Sequence, residues 1–194
     1  MKPITVNELK KELKKLDQAE LIELITKLYK DNKTVKEALS GRFIGAEYQL
    51  EMLESNKNKI YDIFFPDNPM KPVSYKKAID LLEVYRSVGN KEFVLDLMLN
   101  YVECGAEFTE MLDGPDGKFY SSLIKVYSKF VDLINENGTD ELHNKFRERI
   151  SKLYDALAPK DWGLGDAFFE MSLELEWFDE VVFGEEEEEK NLEC

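Results

Sequence analysis

Residues 91–112 read KEFVLDLMLNYVECGAEFTEML, and this stretch decides the fold. Phe93, Val94, Leu95, Leu97, Met98, Leu99, Tyr101, Val102 and Phe108 leave almost no polar side to a helix built on it. A helix that is apolar nearly all round must be covered by other elements, so this segment is expected at the centre of the molecule. Its polar residues fall on one narrow line: Asp96, Asn100, Glu103, Glu107 and Glu110, spaced i, i+4, i+7, i+11 and i+14.

Working outward, the neighbours repeat the helical pattern. Asn90 is a natural N-cap for the central segment, and Asp113-Gly114-Pro115-Asp116-Gly117 ends it. That pentapeptide is a turn; a calcium loop would need about a dozen residues with oxygen ligands at alternate positions. Phe119, Leu123, Val126, Tyr127, Phe130, Val131 and Ile134 then form a clean stripe, stopped by Asn137-Gly138. Thr139 caps a further helix with Leu142, Phe146, Ile150, Leu153 and Leu157 on one face. A last helix is predicted over 166–178.

Upstream, Thr5-Val6-Asn7-Glu8 and Asp17-Gln18-Ala19-Glu20 both have capping-box spacing, so two short amphipathic helices follow each other with almost no connection. Asn32 starts a third helix through Leu39, and Ser40-Gly41 and Gly45 leave the stretch after it unassigned. A fourth covers about 47–64 and breaks at Pro66-Asp67-Asn68-Pro69; Ser74 caps the fifth. The pattern predicts an all-α chain of about nine helices, arranged as stacked αα-hairpins or an orthogonal bundle. Residues 1–178 form a single helical domain on this reading. Residues 179–194 form a disordered acidic tail, with a short strand pair at 180–183 as the alternative for its first residues.

Ten glycines and six prolines in 194 residues favour helix over a many-stranded fold. The net charge of −14 is concentrated at one end: residues 161–194 hold thirteen acids against one lysine, a net of −12. Residues 1–36 hold nine lysines against six acids, a net of +3. Such a balance argues against direct nucleic-acid binding and against an anionic membrane, since both need a sustained cationic surface. The start of the chain has no apolar signal region, and no apolar run approaches the roughly 20 residues a membrane span requires. The expected location is the cytoplasm, with Cys104 and Cys194 reduced.

Several of these stretches together resemble a known family. They are the opening Leu9-Lys10-Lys11-Glu12-Leu13-Lys14-Lys15-Leu16 with Glu20-Leu21-Ile22-Glu23-Leu24, the Phe64-Phe65-Pro66 break, Asp96-Leu97-Met98-Leu99-Asn100-Tyr101-Val102-Glu103, and the Trp162-Gly163 turn. The resemblance is to an uncharacterised bacterial family of small helical cytoplasmic proteins, domain of unknown function 6155. It covers the chain to about residue 178, leaves the acidic tail outside, and implies no activity.

The residues themselves carry little catalytic chemistry. One histidine, His143, excludes most metal and triad arrangements. Asp140 before it has half of a di-iron spacing, better read as a helix start. Glycine-rich phosphate loops are absent, and Ser121-Ser122 have no evident base. The Asp96, Asn100, Glu103, Glu107, Glu110 line reads first as the one solvated or ion-paired side of a buried helix. It reads second as an acidic groove or divalent-metal site, in which case Asp96, Glu103 and Glu107 would serve an enzyme or metal-binding protein. The expected function is a non-catalytic interaction or regulatory protein without a cofactor. Its contact residues would be Glu185, Glu186, Glu187, Glu188 and Glu189, with Trp177 and Phe178 as apolar anchors. The partner would be a protein with a basic surface, or a second copy through its Lys10, Lys11, Lys14, Lys15 helix. An acidic nucleic-acid mimic that inhibits a basic enzyme is a further alternative.

Overall fold

The computed structural model describes residues 2–68, 72–86, 90–111, 117–159, 163–175 and 177–178. Among them are nine α-helices and no strand. They are α1 (Val6–Leu13), α2 (Gln18–Asp31), α3 (Lys33–Ile44), α4 (Ala46–Phe64), α5 (Tyr75–Arg86), α6 (Lys91–Thr109), α7 (Gly117–Asn137), α8 (Asp140–Leu157) and α9 (Leu164–Ser172). The chain divides into two compact units, Met1–Tyr48 and Gln49–Cys194.

In the first unit, local chemistry sets the helix ends. Glu8 N–H donates to Thr5 Oγ1 at 3.3 Å while Glu8 Oε2 accepts from Thr5 N–H at 2.7 Å. Asp17 and Glu20 repeat the reciprocal pair at 2.8 and 2.9 Å, and Asn32 Oδ1 accepts from Thr34 and Val35. These bonds satisfy N–H groups that a helix start leaves orphaned. α3 runs five residues past its expected end at Leu39, because Ser40 and Gly41 are buried within it, and stops at Gly45 with φ of 99°, a conformation that suits glycine. α2 packs on α3, and neither α1 nor α2 buries a residue.

The second unit is built around α6. α5, α7 and α8 pack on it, and α9 packs on α7 and α8. Twelve of the nineteen residues of α6 are buried, including Leu95, Leu97, Leu99, Tyr101 and Val102, as the apolar periodicity requires. Asn90 Oδ1 accepts from Phe93 N–H at 2.9 Å, so the predicted cap forms. One end of the core is aromatic: Phe64 lies 5.3 Å from Tyr101, and Phe108 lies 5.6 Å from Phe119 in an edge-on pair. Farther along α7, Tyr127 stacks on Phe168 at 4.0 Å and Phe130 meets Phe146 edge-on at 5.5 Å.

The last helix differs from its predicted span of 166–178. α9 begins earlier, after Gly163 turns the chain with φ of 72°, and stops at Ser172. There the Ser172 hydroxyl donates to Phe168 O and accepts from the Tyr127 hydroxyl at 2.8 Å. The chain beyond continues in tight turns, Leu175 N–H to Ser172 O and Phe178 N–H to Leu175 O, both 2.9 Å. The acidic tail at 179–194, and the alternative strand pair at 180–183 within it, lie outside the described residues.

Candidate functional site

α5 presents Ile79, Leu82, Glu83 and Arg86 at i, i+3, i+4 and i+7, which places them on one helical face. α7 presents Lys118, Ser121, Ser122, Lys125, Val126 and Lys129 with the same periodicity. Both helices rest on α6, and between them opens a cleft of about 460 Å³ whose floor includes Met98 of α6. Leu82, Met98 and Val126 are 7, 5 and 4% exposed, so the floor is apolar and deep. Among the described residues the rim carries Arg86, Lys118, Lys125 and Lys129 together with one carboxylate, Glu83.

Glu83 ties the two walls together. Lys129 Nζ donates to its Oε1 at 3.0 Å, and Arg86 Nη1 lies 3.6 Å from its Oε2. The Lys129 hydrogen bond is the main influence holding the Glu83 carboxyl below the usual carboxylate range. Ser121 Oγ donates to Gly117 O and Ser122 Oγ to Phe119 O, each at 2.7 Å, while Ser122 Oγ also lies 2.7 Å from the Tyr101 hydroxyl. With both serine protons engaged by the backbone and no imidazole in the lining, neither Ser121 nor Ser122 is activated as a nucleophile. Sequence reasoning passed over this site. Its signal was the lysine spacing of α7, which rides beside the apolar stripe and looks like ordinary solvated surface.

The acidic line on α6 separates into parts. Arg149 of α8 donates from Nη1 to Asp96 Oδ1 at 2.6 Å and grips Glu103 through Nε and Nη2, both at 2.7 Å. Lys57 of α4 donates to Asp96 Oδ2 at 3.0 Å. Burial alone raises the Asp96 carboxyl, but the Arg149 and Lys57 hydrogen bonds outweigh it and hold the group below its ordinary range. Asn100 is half-buried, and its Oδ1 has no hydrogen-bond partner among the described residues. Glu107 and Glu110 are exposed and line a shallow groove with Arg149 and Lys152. A guanidinium thus stands between Asp96 and Glu103, where the metal reading placed a cation. Among the described residues no three His, Cys, Asp or Glu side chains are grouped to hold a metal.

Trp177 and Phe178 require a correction. They are 6 and 0% exposed, not a projecting anchor beside the tail. Trp177 packs under the Arg147 guanidinium, and Phe178 meets Tyr154 edge-on at 5.7 Å, because the turns after α9 fold the chain back against α8. Glu185, Glu186, Glu187, Glu188 and Glu189 lie outside the described residues. His143 is half-buried on α8, 6.4 Å from the Trp177 ring, and is not among the residues lining the cleft. Cys104 is a buried free thiol, pushed up to about 12 by burial, which makes it unreactive at neutral pH.

These features define a class: an all-α protein of two helical units, the larger carrying an amphipathic cleft and an ion-paired seam. The chain belongs to a family of unknown function, DUF6155, whose model matches residues 4–176. No curated protein and no solved structure matches it. No helix among the described residues is long and apolar enough to cross a membrane.

Proposed function

We propose that the chain is a non-catalytic interaction protein, in which the acidic segment 179–194 meets a basic surface, that of α1 in a second copy. The observation that supports this reading is the surface of the first unit. Ile4, Val6, Leu9, Ile22, Leu24, Ile25, Leu28, Phe43 and Ile44 are all exposed, Phe43 at 78%. A segment this short buries too little apolar surface to be stable alone, and contiguous exposed apolar side chains mark contact surfaces. An apolar groove of about 370 Å³ between α2 and α3, with Ile25, Tyr29, Phe43 and Ile44 in its walls, gives that surface relief.

Charge favours the second copy as partner. Lys10 and Lys11 are exposed on α1 and Lys14 and Lys15 just past its end, and among the described residues only Lys15 of the four has an ion pair, with Glu12 at 2.7 Å. The acidic segment of another chain supplies the opposite sign at high density. Sedimentation of the full chain and of residues 1–178, at low and at high salt, tests the reading. Association at low salt that weakens on removing the segment, and on raising the salt, is expected, because screening at physiological ionic strength acts over about 8 Å. Self-association and partner recovery that are the same with and without the segment at low salt overturn it.

A further inference from the structure

We propose that the cleft between α5 and α7 binds a small anionic amphiphile: a single alkyl chain of medium length ending in a carboxylate. The described residues of its lining all belong to the second unit, and the proposal goes beyond the interaction reading.

Three observations converge on that chemistry. The first is the floor. Ile79, Leu82, Met98 and Val126 come from three helices and offer only hydrocarbon and a thioether, in a space of about 460 Å³. Small-molecule pockets fall in the range of about 300–1,000 Å³, with apolar walls and a few placed polar groups. The second is the rim. Among the described residues Arg86, Lys125 and Lys129 line the mouth with one carboxylate, Glu83, in a chain whose net charge is −14, so these side chains give the mouth a cationic excess. The third is the Lys129–Glu83 bridge, which joins the walls at 3.0 Å and places a donor beside the entrance. A ligand carboxylate there takes the place of Glu83 as acceptor for Lys129 and lies within reach of the other rim cations.

The lining also selects against other anions. A peptide carries an amide at every residue, and the floor offers those amides no partner, so burying them is unfavourable. The serine hydroxyls already donate to backbone carbonyls, and among the described residues no aromatic ring lines the floor to stack a nucleobase. An inorganic anion would use the rim and leave the floor empty. An alkyl carboxylate uses both.

Isothermal titration of the full chain with sodium decanoate tests the assignment, with hexanoate, octanoate, acetate, 1-decanol and a pentaglutamate peptide as comparators. Saturable decanoate binding is expected, tightening about fourfold per methylene from hexanoate upward. Acetate and the peptide should show no binding, and 1-decanol should bind more weakly than decanoate. Two substitutions probe the rim. Lys125→Glu, at an exposed position, should weaken decanoate about fivefold and leave 1-decanol unchanged. Glu83→Gln should tighten decanoate by removing the competing acceptor. Ligand-free melting curves establish that each variant is folded. The proposal is overturned if decanoate fails to bind, if 1-decanol, acetate or the peptide matches it, or if neither rim variant changes its affinity.

Discussion

Arg149 of α8 holds Glu103 of α6 through two parallel hydrogen bonds, Nε to Oε1 and Nη2 to Oε2, each 2.7 Å long. The remaining Nη1 reaches Asp96 at 2.6 Å, so one guanidinium joins two carboxylates seven residues apart on the same face of α6. Only arginine has the planar fork that makes this possible. Lys57 approaches Asp96 from α4, and the acidic line therefore becomes a seam between three helices.

Arg149→Ala should be among the more destabilising single changes in the second unit. The side chains of Asp96, Arg149 and Glu103 are 11, 28 and 31% exposed, which places the seam between a surface pair and a fully buried one. A loss of about 2–4 kcal/mol is expected from chemical denaturation, since two partly buried carboxylates lose their shared partner. Arg149→Lys should recover only part of it because lysine lacks the fork. A loss under 1 kcal/mol for the alanine variant would mean that the seam is no stronger than an exposed pair.

Asp96 should make the protein acid-sensitive. Its carboxyl is held low in the folded state by Arg149 and Lys57 against the opposing effect of burial. Such a group contributes stability that is fully present above its unfolded pKa of about 3.9 and is lost as the pH falls through the lower, folded value. Asp96→Asn should therefore be less stable than the parent at pH 7, with the difference shrinking below about pH 4 as the parent loses its advantage. Parallel stability curves for the two proteins from pH 7 to pH 2 would remove Asp96 from the account.

Phe178→Ala should act on stability and not on partner binding. The ring is fully buried, with Tyr154 5.7 Å and Phe169 6.1 Å away. Deleting it leaves a cavity costing about 3–5 kcal/mol, measurable as a fall in melting temperature. An unchanged melting temperature would show that the turns after α9 do not hold the ring in the core.

How much of this was legible in the sequence depends on the range of the interaction responsible. Helix starts at Thr5, Asp17, Asn32, Asn90 and Thr139 were readable because each cap is completed within three residues. The central place of α6 followed from its lack of a polar side. The end of α9 was misread because Ser172 is fixed by Tyr127, 45 residues away, and no local pattern encodes that bond. Trp177 and Phe178 were misplaced for the same reason: their burial depends on α8, while their neighbours in sequence are acids.

Taken alone, the order of residues determined an all-α chain, its helix starts to within a few residues, its buried central helix and its lopsided charge. These properties follow from periodicity and capping, which act within a turn or two of helix. Tertiary structure alone decided that Asp96 and Glu103 share Arg149, and that Glu83 and Arg86 of α5 face Lys125 and Lys129 of α7 across an apolar floor. Those pairings join residues about 40 to 50 positions apart and depend on how helices pack on α6, which the spacing within any one helix does not specify.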